Sequence, residues 1–433
     1  MKIAIHTLGC KNNQLESSTI LDEFINNGWD VVEFNSIADA YIINTCTVTA
    51  KSDSHSRSFI RKAKKTNPDA IIVVIGCYAQ TSAEELSKIE DIDLIIGNVD
   101  KFRTFELVNN YKKSALPDII VKDVLKYKEF DEKKVFSASG RTRINVKVQD
   151  GCNYRCSYCI VPFARGPSRS NKIENVVKQI ADVSKHYSEV VLTGIHLGQY
   201  GLDLKPDVNL SVLLRELENI SSLKRLRLSS IDPLEITDEL IETLSNSKKI
   251  CRHLHISLQS ADNDILYSMN RRYTVEQYSD IINKLTNKID GLAIGSDIIV
   301  GFPGEDNIKF ENTYNNLNEL PICYLHVFSY SIRKGTIASN MPDQVPPEIK
   351  KERNKLLKEL SDKKNYQFRK GFKDKILEII PEFQRDRNNN ALKGLSDNYI
   401  SVQLDADDSY KGSIVPVKII KVTKNNVVGV LNS

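Results

Sequence analysis

INVKVQDGCNYRCSYCIVPFARGPSRS, Ile144–Ser170, decides how the remainder of the 433-residue chain is read. It opens on a strand candidate, Ile144–Gln149. Just past that run come Cys152, Cys156 and Cys159 in a CxxxCxxC spacing. Three thiolates this close can hold three irons of a [4Fe–4S] cluster. The fourth iron then lacks a protein ligand and stays open to a small chelating molecule. Zinc is the competing reading, but a structural zinc site wants four closed ligands, and no fourth cysteine or histidine lies nearby in sequence.

Outward toward the C-terminus, further strand candidates follow at Glu189–Thr193, Arg225–Ser229, Leu254–Leu258, Ala293–Val300 and Tyr324–Ser329. Helical patterns such as Ile173–Lys185, Ser211–Asn219 and Asn307–Glu319 alternate with them. Six β/α units are too few to close the usual eight-stranded barrel, so an open, partial barrel over residues 144–362 is expected. The cysteine loop follows its first strand at the end where barrel enzymes build active sites. Gly194, Ser229, Gln259, Gly301 and Gly304 fall on the same rim, suited to close backbone approach and hydrogen bonding to a cofactor. The plainer alternative for each is an ordinary turn, with Glu305 at a helix N-terminus. Tyr158 can pack against a cofactor ring or simply fill its loop.

Outward toward the N-terminus, Lys2–Thr7, Ala40–Asn44, Ala70–Ile75 and Leu94–Ile96 read as parallel strands. Gln14–Asn26, Ser54–Lys65 and Ser82–Ile89 read as the helices between them, giving a doubly wound α/β domain over residues 1–111. Cys10, Cys46 and Cys77 are far apart in sequence, yet each lies just past the C-terminal end of one of these strands. Parallel strands present those ends on one edge, so the three cysteines are expected to meet and hold a second cluster. Cys251 and Cys323 precede strands instead and read as packing residues.

Residues 112–143, rich in lysine and acid, read as a linker with room for one strand. Residues 363–433 change to short β-runs at Lys375–Ile380, Tyr399–Leu404, Ile414–Val422 and Val427–Leu431, the pattern of a small β-barrel. A basic segment leads into it. From Lys363 to Lys375 the only acid is Asp374, and Lys364, Arg369, Lys370 and Lys373 alternate with Phe368 and Phe372. That mixture suits phosphate contact and base stacking on RNA. Because the basic region and the cluster region differ, removing the chain beyond Lys363 is expected to weaken RNA binding and spare the chemistry of the cluster region.

The hydrophobic fraction of 41% and charged fraction of 27% are those of a globular protein. No apolar run is long enough to span a membrane, and the N-terminus does not read as a signal peptide, so a cytoplasmic protein is expected. In that reducing compartment the eight cysteines favour metal binding over disulfides. The net charge of +4 is too small to identify a partner.

Two three-cysteine sets in this order resemble the radical S-adenosylmethionine methylthiotransferase family, closely the branch acting on threonylcarbamoyladenosine in tRNA. The resemblance rests on TLGCKNNQ (Thr7–Gln14), NTCTVT (Asn44–Thr49), GCYAQ (Gly76–Gln80), QDGCNYRCSYCIVPFARGPSRS (Gln149–Ser170), TGIHLGQYGLDL (Thr193–Leu204), DIIVGFPGE (Asp297–Glu305) and YSIRKGTIASNMPDQVP (Tyr330–Pro346). It implies two [4Fe–4S] clusters, the one on Cys152, Cys156 and Cys159 being catalytic and binding S-adenosylmethionine. It also implies a C-terminal TRAM domain gripping RNA, a tRNA anticodon stem-loop substrate modified at C2 of the adenosine at position 37, and a reducing partner such as flavodoxin or ferredoxin. Arg165, Arg169 and Arg333 then become candidates for the carboxylate of the threonylcarbamoyl group. Where relatives read IPLQSGSD this chain has ISLQSADN (Ile256–Asn263), which leaves every cysteine in place. Alternatives are a sibling enzyme acting on isopentenyladenosine or on a ribosomal-protein aspartate, and a non-catalytic iron–sulfur RNA-binding protein.

Overall fold

A computed structural model describes residues 1–132, 142–386 and 390–432. These form two compact units. The first takes the described residues up to 132 together with Gln149–Asn171 and Ser331–Ser339. The second takes 142–148, Lys172–Tyr330 and 340–432. Part of the expected linker, 133–141, lies outside the described residues.

The first unit is built on a six-stranded parallel sheet. Its strands are β1 (Lys2–Thr7), β2 (Asp30–Val31), β3 (Ala40–Thr45), β4 (Ile71–Gly76), β5 (Leu94–Ile96) and β6 (Asp118–Ile120), in the order β2-β1-β3-β4-β5-β6. Every residue of β3 is buried, as its run of alanine, tyrosine and isoleucine predicts. The sixth strand comes from the segment read as a linker: Leu94 pairs with Asp118 and Ile96 with Ile120. Helices Lys11–Asn26 and Ala50–Thr66 pack against the sheet, the second capped by Thr49, whose hydroxyl accepts from Ser52 N at 3.2 Å. In place of one helix over Ser82–Ile89 there are two short ones, Cys77–Thr81 and Ala83–Leu86.

The chain continues through β7 (Ile144–Lys147) and a loop closed by the antiparallel pair β8 (Gln149–Asp150) and β9 (Arg169–Ser170). The second unit then adds β10 (Glu189–Thr193), β11 (Arg225–Leu228), β12 (His253–His255), β13 (Ala293–Val300) and β14 (Tyr324–Ser329). They form two parallel triplets, β11-β10-β7 and β12-β13-β14, joined by isolated bridges such as Ile231↔Ile256. This is the open (β/α)6 arrangement expected. Its core is a continuous apolar cluster that includes Val146, Leu192, Leu228, Leu254, Ile298 and Leu357.

A 24-residue helix, Pro347–Lys370, leads into a closed barrel of β15 (Ile376–Pro381), β16 (Leu392–Ser396), β17 (Ser401–Leu404), β18 (Val415–Val422) and β19 (Val427–Leu431). Sequence reading missed β16. Its LKGLS has a central glycine in place of a β-branched residue, and Ile379 Cδ1 sits 2.6 Å from where a Cβ on Gly394 would be.

The turn after β16 reaches the N-terminal end of the parallel strands. Arg227 donates to Glu189 at 2.8 and 3.1 Å and to the carbonyls of Ser396 and Asp397 at 3.0 Å each. Arg252 pairs with Asp397 at 2.7 Å, and Tyr399 stacks on His253 with ring centroids 4.1 Å apart. Glu189 and Asn398 are fully buried. The small barrel therefore completes the polar floor of the larger one. This corrects the expectation that the chain beyond Lys363 could be removed without harm to it: removal would leave Glu189, Arg225 and Arg227 without their cover.

Candidate functional site

Cys10, Cys46 and Cys77 follow β1, β3 and β4 directly, and the first unit brings them together. Two glycines make the approach possible. Gly9 and Gly76 adopt φ of +99° and +94°, which an L side chain rarely tolerates. A Cβ on Gly9 would lie 2.7 Å from Cys46 Cβ and 3.1 Å from its Sγ. Asn13 ties the strand ends, donating to Leu8 O at 2.8 Å and Thr45 O at 3.0 Å, while Thr45 Oγ1 donates to Ile75 O at 2.6 Å. Burial, with the charge of Cys77 close by, pushes the Cys46 thiol up to about 11. A coordinated metal reverses that tendency, since a ligating thiol is held deprotonated. The donor set, three convergent thiols with little else to ligate, fits an iron–sulfur cluster with one open iron.

Arg165 is the part of this site that sequence reading misassigned. It was expected to meet RNA, but it is 1% exposed. Its guanidinium lies 3.4 Å from Cys77 Sγ, donates to Glu16 at 2.6 Å and to Asn13 Oδ1 at 2.5 Å, and faces Asp150 at 3.4 Å. Lys101 pairs with the same Glu16 at 2.6 Å. Arg169, also buried, bonds the carbonyls of Arg165 and Pro167 at 2.9 Å each and lies 3.7 Å from Asp150. Neither arginine presents a fork to phosphate or a substrate carboxylate, because both are buried inside the protein. The loop that carries Cys152, Cys156 and Cys159 thus sends a buried cation to the other cysteine set. Glu16, Lys101 and Asp150 escaped sequence reading. The available signal was polar residues on the buried stripe of the first helix, Asn12, Asn13, Glu16 and Ser17.

Arg165→Met is expected to destabilise the first unit by about 3–5 kcal/mol, as removing one partner of a buried ion pair does. Denaturant unfolding against wild type measures it, and a change below about 1 kcal/mol would mean the pairs are not desolvated together.

Cys152, Cys156 and Cys159 are half-buried in one loop. Cys152 N donates to Gly166 O and Cys159 N to Cys156 O, both at 3.0 Å. Gln149 braces the loop from beneath, donating to Gly151 O at 2.8 Å and Ser168 Oγ at 2.9 Å. Tyr158 is half-buried in the same loop. Ala338 N donates to Ser157 O at 2.8 Å. The loop is thus held on both flanks, as a cluster-binding loop needs.

In the second unit, Gly194, Ser229, Gln259 and Gly301 sit at or just past the C-terminal ends of β10, β11, β12 and β13, and Gly304 follows. Ser229 Oγ is inaccessible and has no hydrogen-bond partner among the described residues. Gln259 takes φ of +72°, a strained conformation for a side-chain-bearing residue and one found disproportionately at functional sites. Gly301 is explained by packing alone. Its amide donates to Glu305 at 2.7 Å, Glu305 pairs with Arg353 at 2.7 Å, and a Cβ would lie 2.3 Å from Lys350 Cγ. Gly304 borders open space. Sequence reading also missed His255, Asp297 and His326 from three adjacent strands. Burial alone would raise the Asp297 carboxyl, but the two imidazoles at 3.4 and 3.3 Å hold it well below the usual carboxylate range.

The basic segment divides. Lys370 and Lys373 are exposed, as an RNA contact requires. Lys364 caps a helix end, donating to Asn318 O at 2.9 Å and Leu320 O at 2.8 Å, and Arg369 donates to Lys424 O at 2.7 Å. Phe372 is buried in the small barrel's core and meets Phe368 edge-on at 5.1 Å. The expected stacking on bases is corrected: these rings already have partners. Cys251 and Cys323 are buried, as packing cysteines should be.

Comparison with known proteins bears on this arrangement. Residues 2–97 match the family described as Uncharacterized protein family UPF0004, and residues 146–317 match the Radical SAM superfamily. Threonylcarbamoyladenosine tRNA methylthiotransferase MtaB of Bacillus subtilis is 44% identical over 97% of this chain and 94% of its own. Its namesake in Aquifex aeolicus is 40% identical over 97% and 100%. A tRNA-2-methylthio-N(6)-dimethylallyladenosine synthase of Clostridium botulinum is 34% identical over 98% and 96%. Among solved structures, the radical S-adenosylmethionine methyltransferase TsrM of Kitasatospora setae shares the fold, with a TM-score of 0.59 at 14% identity over 78% of this chain and 77% of its own. With both cysteine sets present and the barrel in place, the chain belongs to the radical S-adenosylmethionine tRNA methylthiotransferases, enzymes that transfer sulfur-containing groups.

Proposed function

We propose that this enzyme adds a methylthio group to C2 of N6-threonylcarbamoyladenosine at position 37 of tRNA, using S-adenosylmethionine and two [4Fe–4S] clusters. The observation that carries the reading is the convergence of Cys10, Cys46 and Cys77, with Arg165 reaching them from the loop of Cys152, Cys156 and Cys159. A barrel enzyme that only cleaved S-adenosylmethionine would need the second set alone. Cys152, Cys156 and Cys159 would hold the cluster, which when bound would supply the reducing electron for cleavage of S-adenosylmethionine. Cys10, Cys46 and Cys77 hold the second cluster, where sulfur is delivered. The polar groups of Gly194, Ser229, Gln259 and Gly304, with Tyr158, are the proposed cofactor contacts.

The substrate adenosine lies in the single-stranded anticodon loop, where turning a base out of its stack costs only a few kcal/mol. Lys370 and Lys373 are the exposed cations proposed to meet phosphate. The reaction needs electrons from a small reducing protein such as flavodoxin or ferredoxin, and the cytoplasm is the proposed compartment. No helix among the described residues is long and apolar enough to cross a membrane.

Nucleoside mass spectrometry on tRNA from a strain lacking the gene tests the assignment. The methylthio form of threonylcarbamoyladenosine should disappear and its unmethylthiolated precursor accumulate. Loss of the isopentenyl methylthio nucleoside instead would transfer the enzyme to the sibling branch. Affinity for tRNA should also fall steeply as salt rises, because phosphate contacts release counterions. Lys370→Ala with Lys373→Ala should flatten that slope.

A further inference from the structure

The first unit contains a cavity of about 630 Å³ that the reaction scheme above does not use. One wall is Thr47, next to Cys46. Another is Thr81, whose hydroxyl donates to Cys77 O at 3.0 Å. A third is Ile160, next to Cys159. A residue adjacent in sequence to a cysteine of each set therefore lines it.

The lining is polar. Ile160 is its one large aliphatic side chain. Glu84 faces Lys88 at 3.5 Å, and Glu85 accepts from Tyr78 Oη at 2.7 Å, so these acids are engaged. Arg333 and Asp53 are not fully engaged. Arg333 Nη1 donates to Asp53 Oδ2 at 2.5 Å and to Thr47 O at 3.0 Å. Its Nη2 has no partner among the described residues, and neither has the buried Asp53 Oδ1. Lys334, on the same lining, has no ion pair among the described residues. Arg333 Nε donates to Ile332 O at 2.9 Å, so the vacant functions are the Arg333 Nη2 donor, an ammonium and a carboxylate oxygen. A ligand that fills them carries an anion beside a hydroxyl or amide donor.

We propose that this cavity receives the threonylcarbamoyl substituent on N6 of the target adenosine, with Arg333 and Lys334 taking its carboxylate and Asp53 its hydroxyl. The proposal rests on the substrate reading given above and supplies its recognition site. An isopentenyl group offers neither an anion nor a donor. It would leave the buried Asp53 Oδ1 and the Arg333 Nη2 unpaired, which a site built for polar contacts penalises. Of the three arginines expected to meet that carboxylate, Arg333 alone lines this cavity, while Arg165 and Arg169 are buried away from it.

The test uses reconstituted full-length enzyme and anticodon stem-loop RNAs bearing threonylcarbamoyladenosine, isopentenyladenosine or plain adenosine. Wild type should bind the threonylcarbamoyl RNA at least about tenfold more tightly than the plain one. Arg333→Gln should abolish that preference while plain RNA binds as before. Lys334→Gln, at an exposed position that does not threaten folding, should reduce it several-fold. Arg333→Lys should restore it only in part, because an ammonium lacks the planar fork. Variants that keep the wild-type preference, or that weaken all three RNAs alike, would overturn the cavity assignment. A wild type that methylthiolates isopentenyl RNA and ignores threonylcarbamoyl RNA would instead overturn the substrate reading itself.

Discussion

Replacing Cys152, Cys156 and Cys159 together with alanine is expected to remove about half of the bound iron and abolish formation of 5′-deoxyadenosine from S-adenosylmethionine. With no cluster in that loop there is no open iron at the barrel to chelate the cofactor and no electron delivered there to cleave it. The reciprocal variant, with alanine at Cys10, Cys46 and Cys77, should also lose about half of the iron but retain cleavage. Methylthiolated tRNA should fall below detection in both. Iron analysis, cluster absorbance and chromatography of the cleaved nucleoside read these outcomes separately. Persistent cleavage in the first variant would remove the proposed division of labour. Product from the second, with an ordinary sulfur source, would show that the N-terminal cysteines are not needed for sulfur delivery.

The second large effect concerns the floor of the parallel barrel. Arg227→Met leaves the fully buried Glu189, among the described residues, with Arg225 at 3.7 Å, Arg143 at 3.9 Å and the thiol of Cys251 at 4.0 Å. Stripping a buried charge of its best partner costs about 3–5 kcal/mol, a large share of a domain's stability. Truncation before Lys363 should be worse, because the Ser396 and Asp397 carbonyls, the Arg252–Asp397 pair and the Tyr399–His253 stack all vanish. The truncated protein is expected to be insoluble, or soluble without cooperative unfolding. A truncated chain that melts like the full one and still cleaves S-adenosylmethionine would mean the turn is an ornament.

The parallel strands were readable because runs such as Ile71–Gly76 and Ala293–Val300 leave little room for a polar face. The meeting of Cys10, Cys46 and Cys77 was readable for the same reason, since strand ends on one edge must be neighbours. Arg165 was not readable. An arginine beside a cluster motif invites a ligand reading, and its partners Glu16, Lys101 and Asp150 are scattered along the chain. β6 was legible as room for one strand in a polar linker, but its place at Asp118–Ile120 and its pairing with β5 were not. Phe368 and Phe372 were misread because aromatic residues between lysines look alike whether they face RNA or a core. Such errors share a physical origin: charge and aromaticity state what a side chain can do, while tertiary burial decides whether it is free to do it.

Synthesis on the ribosome proceeds from the N-terminus, and the floor of the parallel barrel is finished by residues near the other end. Until Ser396–Tyr399 have emerged, Arg225, Arg227, His253 and Glu189 face water or one another. The nascent chain therefore spends most of its translation with an incompletely sealed barrel, the kind of partly folded state that chaperones protect. Exchanging the C-terminal barrel for that of a relative to change RNA preference would meet the same dependence. The graft would have to bring a turn that mates with the host's arginines, or its host would fail to mature before any question of specificity arose.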